Sequence, residues 1–237
     1  MKTKLSLLGS LAFASLAGFA QPVVAANINM ANFNLQADFR AFSEELGAAL
    51  SYKAITPAEP LGVTGFDIGL EATSTKVEKL AKATGSTQTT LIVPKLHIHK
   101  GLPLNIDVGA FYSSVPTTNI KLYGGELRYA ILEGGVASPA VAIRGSMTKL
   151  SGVDQLSFDT KGLDVSISKG FAMFTPYAGV GRVWVESTPN GTLTKESFQQ
   201  SKFFVGGNLN FGVTNLAVEY DKTGAAQSYS AKLGFRF

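Results

Sequence analysis

The sequence has no cysteine, one tryptophan and two histidines, and only 16% of its 237 residues are charged. Without cysteine there is no disulfide framework and no thiolate metal site. An exported fold must then draw its stability from sheet closure and packing. Beyond the first residues, no run approaches the roughly 20 consecutive apolar residues that a spanning helix needs. If the chain crosses a membrane it must do so as a closed barrel, the other arrangement that satisfies every backbone polar group in lipid. A clustered basic face is lacking too. The formal charge of +4 includes Lys2 and Lys4 in the leader, and without them about +2 remains. No nucleic-acid partner is expected.

The first segment reads as a secretory signal. Lys2 and Lys4 form a positive start, Leu5 to Phe19 an apolar stretch, and small residues allow cleavage after Ala20 or Ala26. The chain divides into a signal peptide (1–26), a periplasmic amphipathic helix with its linker (27–61) and a barrel (62–237). In the middle part Leu35, Phe39, Phe42, Leu46 and Leu50 recur at helical spacing, while Gln36, Asp38, Arg40, Glu44 and Glu45 fall mostly elsewhere. A helix over Phe33 to Lys53 is expected, stopped by Pro57 and Pro60. It is expected at the periplasmic mouth or partly within it, or else lying on the inner leaflet.

From Gly62 the period changes to two. It is sharpest at the end, where Tyr229, Ala231, Leu233, Phe235 and Phe237 alternate with Ser228, Ser230, Lys232, Gly234 and Arg236. Folding this strand on the preceding one sets Tyr220 opposite Tyr229, Val218 opposite Ala231 and Leu216 opposite Leu233, so that apolar meets apolar. About ten antiparallel strands follow from the same pattern, within a range of eight to twelve. An even number returns both ends to the periplasm. The stretches 76–89 and 187–201 are long and polar, while 100–103, 170–171 and 212–214 are tight. Long loops outside and short turns inside are the expected asymmetry. Tyr112, Tyr123, Phe203, Tyr220 and Tyr229 fall at an outer level, and Phe66, Tyr129, Tyr177, Phe211, Phe235 and Phe237 at an inner one. Aromatic rings favour both water–lipid boundaries.

The fold class is therefore all-β: a transmembrane antiparallel up-and-down barrel behind an amphipathic helix. The terminal Leu233-Gly234-Phe235-Arg236-Phe237, with Tyr229 on the same face, resembles the C-terminal assembly signal of outer-membrane proteins. The strand region is similar to small Gram-negative outer-membrane barrels of the OmpA/OmpX/OmpW kind, and more closely to an uncharacterised proteobacterial outer-membrane protein family. The resemblance implies outer-membrane location, recognition by the barrel-assembly machinery, and contact with outer-membrane lipid and lipopolysaccharide.

Inward parity gathers Asp67, Glu71, Asp107, Glu126, Asp164 and Glu219 with Lys95, Arg128, Arg144, Arg182 and Lys232. On the lipid face each charge would cost about 2–4 kcal/mol near the midplane. The near balance of signs favours an ion-pair network that fills the lumen. Phe111, Phe158 and Phe204 also take inward parity, as an apolar pocket or a seal. His97 and His99, two apart on one strand, point the same way. They are weak metal candidates, since any third ligand must be a carboxylate. No metal, cofactor or enzymatic activity is expected. The first reading is a structural or loop-presenting barrel. The second is a narrow porin or conduit for small or hydrophobic solutes. An outer-rim hydrolase using Asp159, Glu186 or Glu196 comes last, because no histidine accompanies them.

Overall fold

The structure, a computed structural model, describes residues 35–84, 87–115 and 119–237. The expected signal peptide lies outside the described residues. Helix α1 (Gln36–Leu50) comes first. Its sequence holds no β-branched residue and is rich in Ala, Leu and Glu, so little side-chain entropy opposes the helix. The expected start at Phe33 lies outside the described residues, and Ser51 to Lys53 are extended rather than helical. Ten strands follow: β1 (Phe66–Lys76), β2 (Thr90–Leu102), β3 (Ile106–Ser114), β4 (Lys121–Glu133), β5 (Ala140–Ser151), β6 (Leu156–Ser168), β7 (Phe174–Pro189), β8 (Glu196–Phe211), β9 (Thr214–Thr223) and β10 (Ala226–Arg236). A short helix, α2 (Glu78–Thr84), lies between β1 and β2.

Each strand pairs antiparallel with its neighbour in sequence, and β1 pairs with β10, closing the barrel. The seam sets Leu70 opposite Leu233 and Glu71 opposite Lys232, so apolar and charged residues keep to separate faces. The register predicted for the last hairpin is the one found: Tyr229 with Tyr220, Ala231 with Val218, Leu233 with Leu216. Two ends can be told apart. At the terminus end Phe66 stacks on Phe237 with ring centroids 6.1 Å apart, and β8 turns into β9 at Gly212 with a positive φ that a side chain would resist. At the loop end lie α2 and the β7–β8 connection.

Two expected loops are more ordered than their polarity suggested. The stretch 76–89 contains α2. β7 and β8 run on to Pro189 and from Glu196, leaving only 190–195 as connection.

The outside of the wall is apolar. Leu70, Leu96, Leu127, Met147, Val180, Val218 and Leu233 all stand exposed. A band of this size on a water-soluble protein would be an aggregation hazard, whereas lipid is its natural solvent. The Tyr112–Tyr123 and Tyr220–Tyr229 cross-strand pairs lie toward the loop end, and Phe66, Phe211, Phe235 and Phe237 toward the other. Tyr177 departs from the expected girdle. Its side chain turns inward and is buried, in the space left by Gly206, where a Cβ would meet the Tyr177 ring at 2.4 Å.

Of the placements expected for helix α1, entry into the lumen is nearest to what is found, and the level differs. The helix is enclosed by the barrel in its loop-end half rather than at the terminus-end mouth. Phe39, Phe42, Leu46 and Leu50 join Val93, Phe111, Phe158, Val183 and Val185 of the wall in one apolar cluster. The Ser43 hydroxyl meets that of Ser187 at 2.8 Å, close to the loop end of β7. The reason is complementarity: an amphipathic stripe buries itself where inward wall residues are uncharged. The loop-end half offers Val93, Leu122, Phe158, Val183 and Val185 beside hydroxyls that bond one another, such as Thr75 with Ser228 and Thr148 with Thr160. From Ser51 the chain continues down the lumen without regular structure, with a left-handed residue at Ile55, buried as far as Ala58, and reaches β1 at the terminus end.

Candidate functional site

The lumen is the site the fold builds, and residues 36–61 occupy it. Inward positions of the strands supply one set of groups and the threaded segment supplies the other.

Near the terminus end, Lys232 Nζ holds Asp67 at 2.9 and 3.0 Å. Arg128 donates to Asp107 through Nε (3.1 Å) and Nη2 (2.6 Å). The same guanidinium donates to the Thr56 hydroxyl at 2.9 Å, the Glu59 carbonyl at 3.2 Å and the Pro57 carbonyl. The second oxygen of Asp107 accepts the Leu61 backbone N–H at 3.0 Å. One buried ion pair thus serves wall and segment together. Ser168 Oγ accepts the Ala58 N–H at 3.0 Å.

Midway, Lys95 Nζ meets Glu71 at 2.8 Å, and His97 Nε2 contacts the other oxygen of the same carboxylate. His99 Nε2 lies 3.5 Å from Glu126 and 3.4 Å from the Tyr52 hydroxyl. Gly109 makes this possible, since a Cβ there would stand 2.3 Å from the His99 ring. Arg144 binds Asp164 at 3.0 Å and approaches Glu126 at 3.6 Å. Lys202 reaches Asp164 at 3.4 Å and donates to the Tyr52 carbonyl at 3.0 Å. Lys53 of the segment pairs with Asp221 of β9, both side chains fully enclosed.

Above this layer the buried lumen residues carry no charge: apolar side chains gather around α1 beside hydroxyl pairs such as Thr75–Ser228 and Thr148–Thr160. Phe111 and Phe158 pack in the cluster around α1. Phe204 stacks between charges instead, with Arg144 at 5.5 Å and Lys202 at 5.2 Å from its ring centroid. The three phenylalanines therefore do not line one open pocket. Phe158 packs in the helix cluster, Phe204 lies under cations, and Phe111 does both, with Lys95 5.2 Å from its ring centroid and His97 stacked on it at 5.4 Å.

Asp67, Glu71, Lys95, Asp107, Glu126, Arg128, Arg144, Asp164, Glu219 and Lys232 are buried and inward, where parity put them. Arg182 is not. It faces outward, its Nη1 donating to Gln199 Oε1 at 3.0 Å on the exposed wall, between the outward residues Val180 and Trp184. The inward neighbours Val183 and Val185 pack on α1, so apolar side chains here mark the lumen and the usual parity signal inverts. Tyr229, Leu233, Phe235 and Phe237 all project outward and are exposed.

Lys53, Asp221, Lys202 and Tyr52 are the members of the network absent from the sequence-based set. Asp221 and Lys202 share parity with Glu219 and Phe204 and were legible in principle. Lys53 and Tyr52 carried no signal, because nothing in a local pattern says that a segment enters the lumen. Among the described residues no three His, Asp or Glu side chains come together as a metal site.

Against known proteins, no family model matches the chain, and no curated protein does. Solved structures that are similar are outer-membrane barrels. The N-terminal β-barrel domain of Pseudomonas aeruginosa OprF is 14% identical, covering 74% of this chain and 99% of that one, with a TM-score of 0.39. Ail, the attachment invasion locus protein of Yersinia pestis, is 12% identical over 73% and 97%, with a TM-score of 0.35. Neisserial surface protein A is 11% identical over 72% and 95%, with a TM-score of 0.30.

The chain is a ten-stranded transmembrane β-barrel.

Proposed function

We propose that the protein is an outer-membrane barrel without catalytic activity, sealed by its own N-terminal segment and serving a structural or loop-presenting role. The observation that carries this reading is the occupied lumen. Residues 36–61 run through it, tied by Lys53–Asp221 at mid-height and by Arg128 and Asp107 near the terminus end. A ten-strand barrel encloses only a narrow lumen. Here a helix, about 10–12 Å across with its side chains, and the wholly buried stretch 51–58 take up that space.

The apolar outer band and two aromatic levels support membrane insertion. The outward Tyr229, Leu233, Phe235 and Phe237 suit recognition by the barrel-assembly machinery, and the exposed wall suits outer-membrane lipid and lipopolysaccharide. The longest connection between strands, residues 77–89, lies at the loop end, which supports a periplasmic position for the terminus end and an outer one for the loop end. Two of the three acids named for the hydrolase reading are engaged in ion pairs. Glu196 is held by Arg40 at 3.1 Å, and Glu186 by Lys195 at 2.8 Å.

Single-channel recording of refolded mature protein, gated on a heat-modifiable gel shift, tests the seal. Silence is expected. Steady, reproducible openings would sink the reading and favour the conduit, in which the charged wall becomes the lining of a solute path.

A further inference from the structure

The direction in which the segment runs has a topological consequence. At its C-terminal end it joins β1 beside Phe66, which stacks on Phe237. At its N-terminal end it meets the β7–β8 connection at the opposite end of the barrel. Gln36 Nε2 donates to the Thr194 carbonyl at 3.0 Å, while the Thr194 N–H donates to Gln36 Oε1 at 3.1 Å. This reciprocal amide pair fixes where the helix begins. Arg40 strengthens it, bonded to Glu196 at 3.1 Å with its guanidinium 4.0 Å from the Phe198 ring centroid.

Leu35, the first residue before the helix, stands at this end and is 64% exposed. The helix takes up the loop-end half of the lumen and the buried stretch 51–58 runs on from it toward β1. We infer that the barrel threads this segment through its lumen in one direction and presents the start of α1 on the face opposite Phe237. Given the orientation under the proposed function, on which the cell-surface part of this inference rests, that face is the cell surface. The barrel then displays the start of a helix as well as loops. That helix is anchored from within by the Lys53–Asp221 pair and the Arg128 contacts.

The absence of cysteine makes the test direct. Leu35→Cys puts a single thiol at the exposed start of the helix. Thr192→Cys marks the β7–β8 connection and Val213→Cys the β8–β9 turn. Intact cells are treated with a membrane-impermeant maleimide, before and after permeabilisation of the outer membrane, and only the heat-modifiable fraction is scored. L35C is expected to label together with T192C in intact cells, with V213C protected until permeabilisation. If L35C follows V213C, or labels in neither condition while T192C labels, the threading is wrong. If V213C labels in intact cells and T192C does not, the assigned orientation fails. Threading still stands in that case provided L35C keeps company with T192C.

Discussion

Lys53 and Asp221 form an ion pair in the middle of the barrel, one partner from the threaded segment and the other from β9, both side chains wholly buried. Thr223 adds a hydroxyl donor to the same carboxylate at 3.1 Å, and Ser51 accepts from the ammonium at 3.2 Å. Removing one member leaves a buried charge without its counter-charge, which costs about 3–5 kcal/mol. Lys53→Met is expected to lower the urea midpoint of the refolded barrel by that order. The double variant Lys53→Met with Asp221→Leu should recover most of the loss, because two apolar groups replace a matched pair. A double variant no more stable than K53M would mean that the pair does not couple segment to wall.

Arg144 and Arg182 provide a contrast between the two faces. Arg144 is buried and bonded to Asp164, whereas Arg182 touches only the Gln199 amide on the outer wall. Arg144→Met is expected to destabilise by about 3 kcal/mol or more, since Asp164 and Glu126 lose a shared cation. Arg182→Leu should change stability by about 1 kcal/mol or less, as lipid-face charges do close to an interface. Unfolding in micelles of both variants checks the assignment. Equal losses would return Arg182 to the lumen.

The same pair explains how much was legible in advance. Strand number, the register of the last hairpin and nearly the whole inward charge set follow from period-two alternation, because one face meets lipid and the other meets charges. That rule assumes a polar lumen throughout. Around Val183 and Val185 the lumen is apolar, because α1 lies there, and the alternation then points the wrong way for Arg182. The helix itself was visible from Phe39, Phe42 and Leu46, but an amphipathic stripe does not say what it packs against. Position inside a barrel is a tertiary fact. Only the coincidence of an apolar helix face with apolar inward wall positions announces it.

At the rim, Glu45 of α1 accepts the backbone N–H groups of Lys79 (2.7 Å) and Leu80 (3.1 Å) at the start of α2. Burial pushes its carboxyl above the ordinary value of 4.5, despite the two N–H groups pulling downward. A raised folded value means the native state holds the proton more tightly than the unfolded chain. This group's contribution to stability therefore falls as pH rises from 4.5 through the raised value, and is constant below 4.5. Glu45→Gln keeps an oxygen acceptor and does not titrate. Relative to E45Q, the wild-type urea midpoint should decline across that window as pH increases. Parallel curves would show that Glu45 is solvated in the native state.

Gly47 lies where the helix packs tightly against β7 and β8. A Cβ there would stand 2.7 Å from Val185 Cγ2 and 2.9 Å from Gln200 Oε1. The valine is β-branched and stiff, so it cannot swing aside as the glutamine can. Gly47→Leu should overpack the contact at a cost of about 1–3 kcal/mol. That strain acts on the segment rather than on the hydrogen-bonded wall. The wall's ladders stay paired whether or not α1 is seated, so the expected result is a folded, heat-modifiable barrel with a loosened helix. In a planar bilayer G47L should show brief openings that the wild type lacks. Adding Val185→Ala removes the two methyl groups that obstruct the new side chain, and should restore silence. If G47L conducts no more than wild type while its urea midpoint falls, strain at this contact spreads into the wall. The helix would then be part of the barrel's core packing rather than a separable seal.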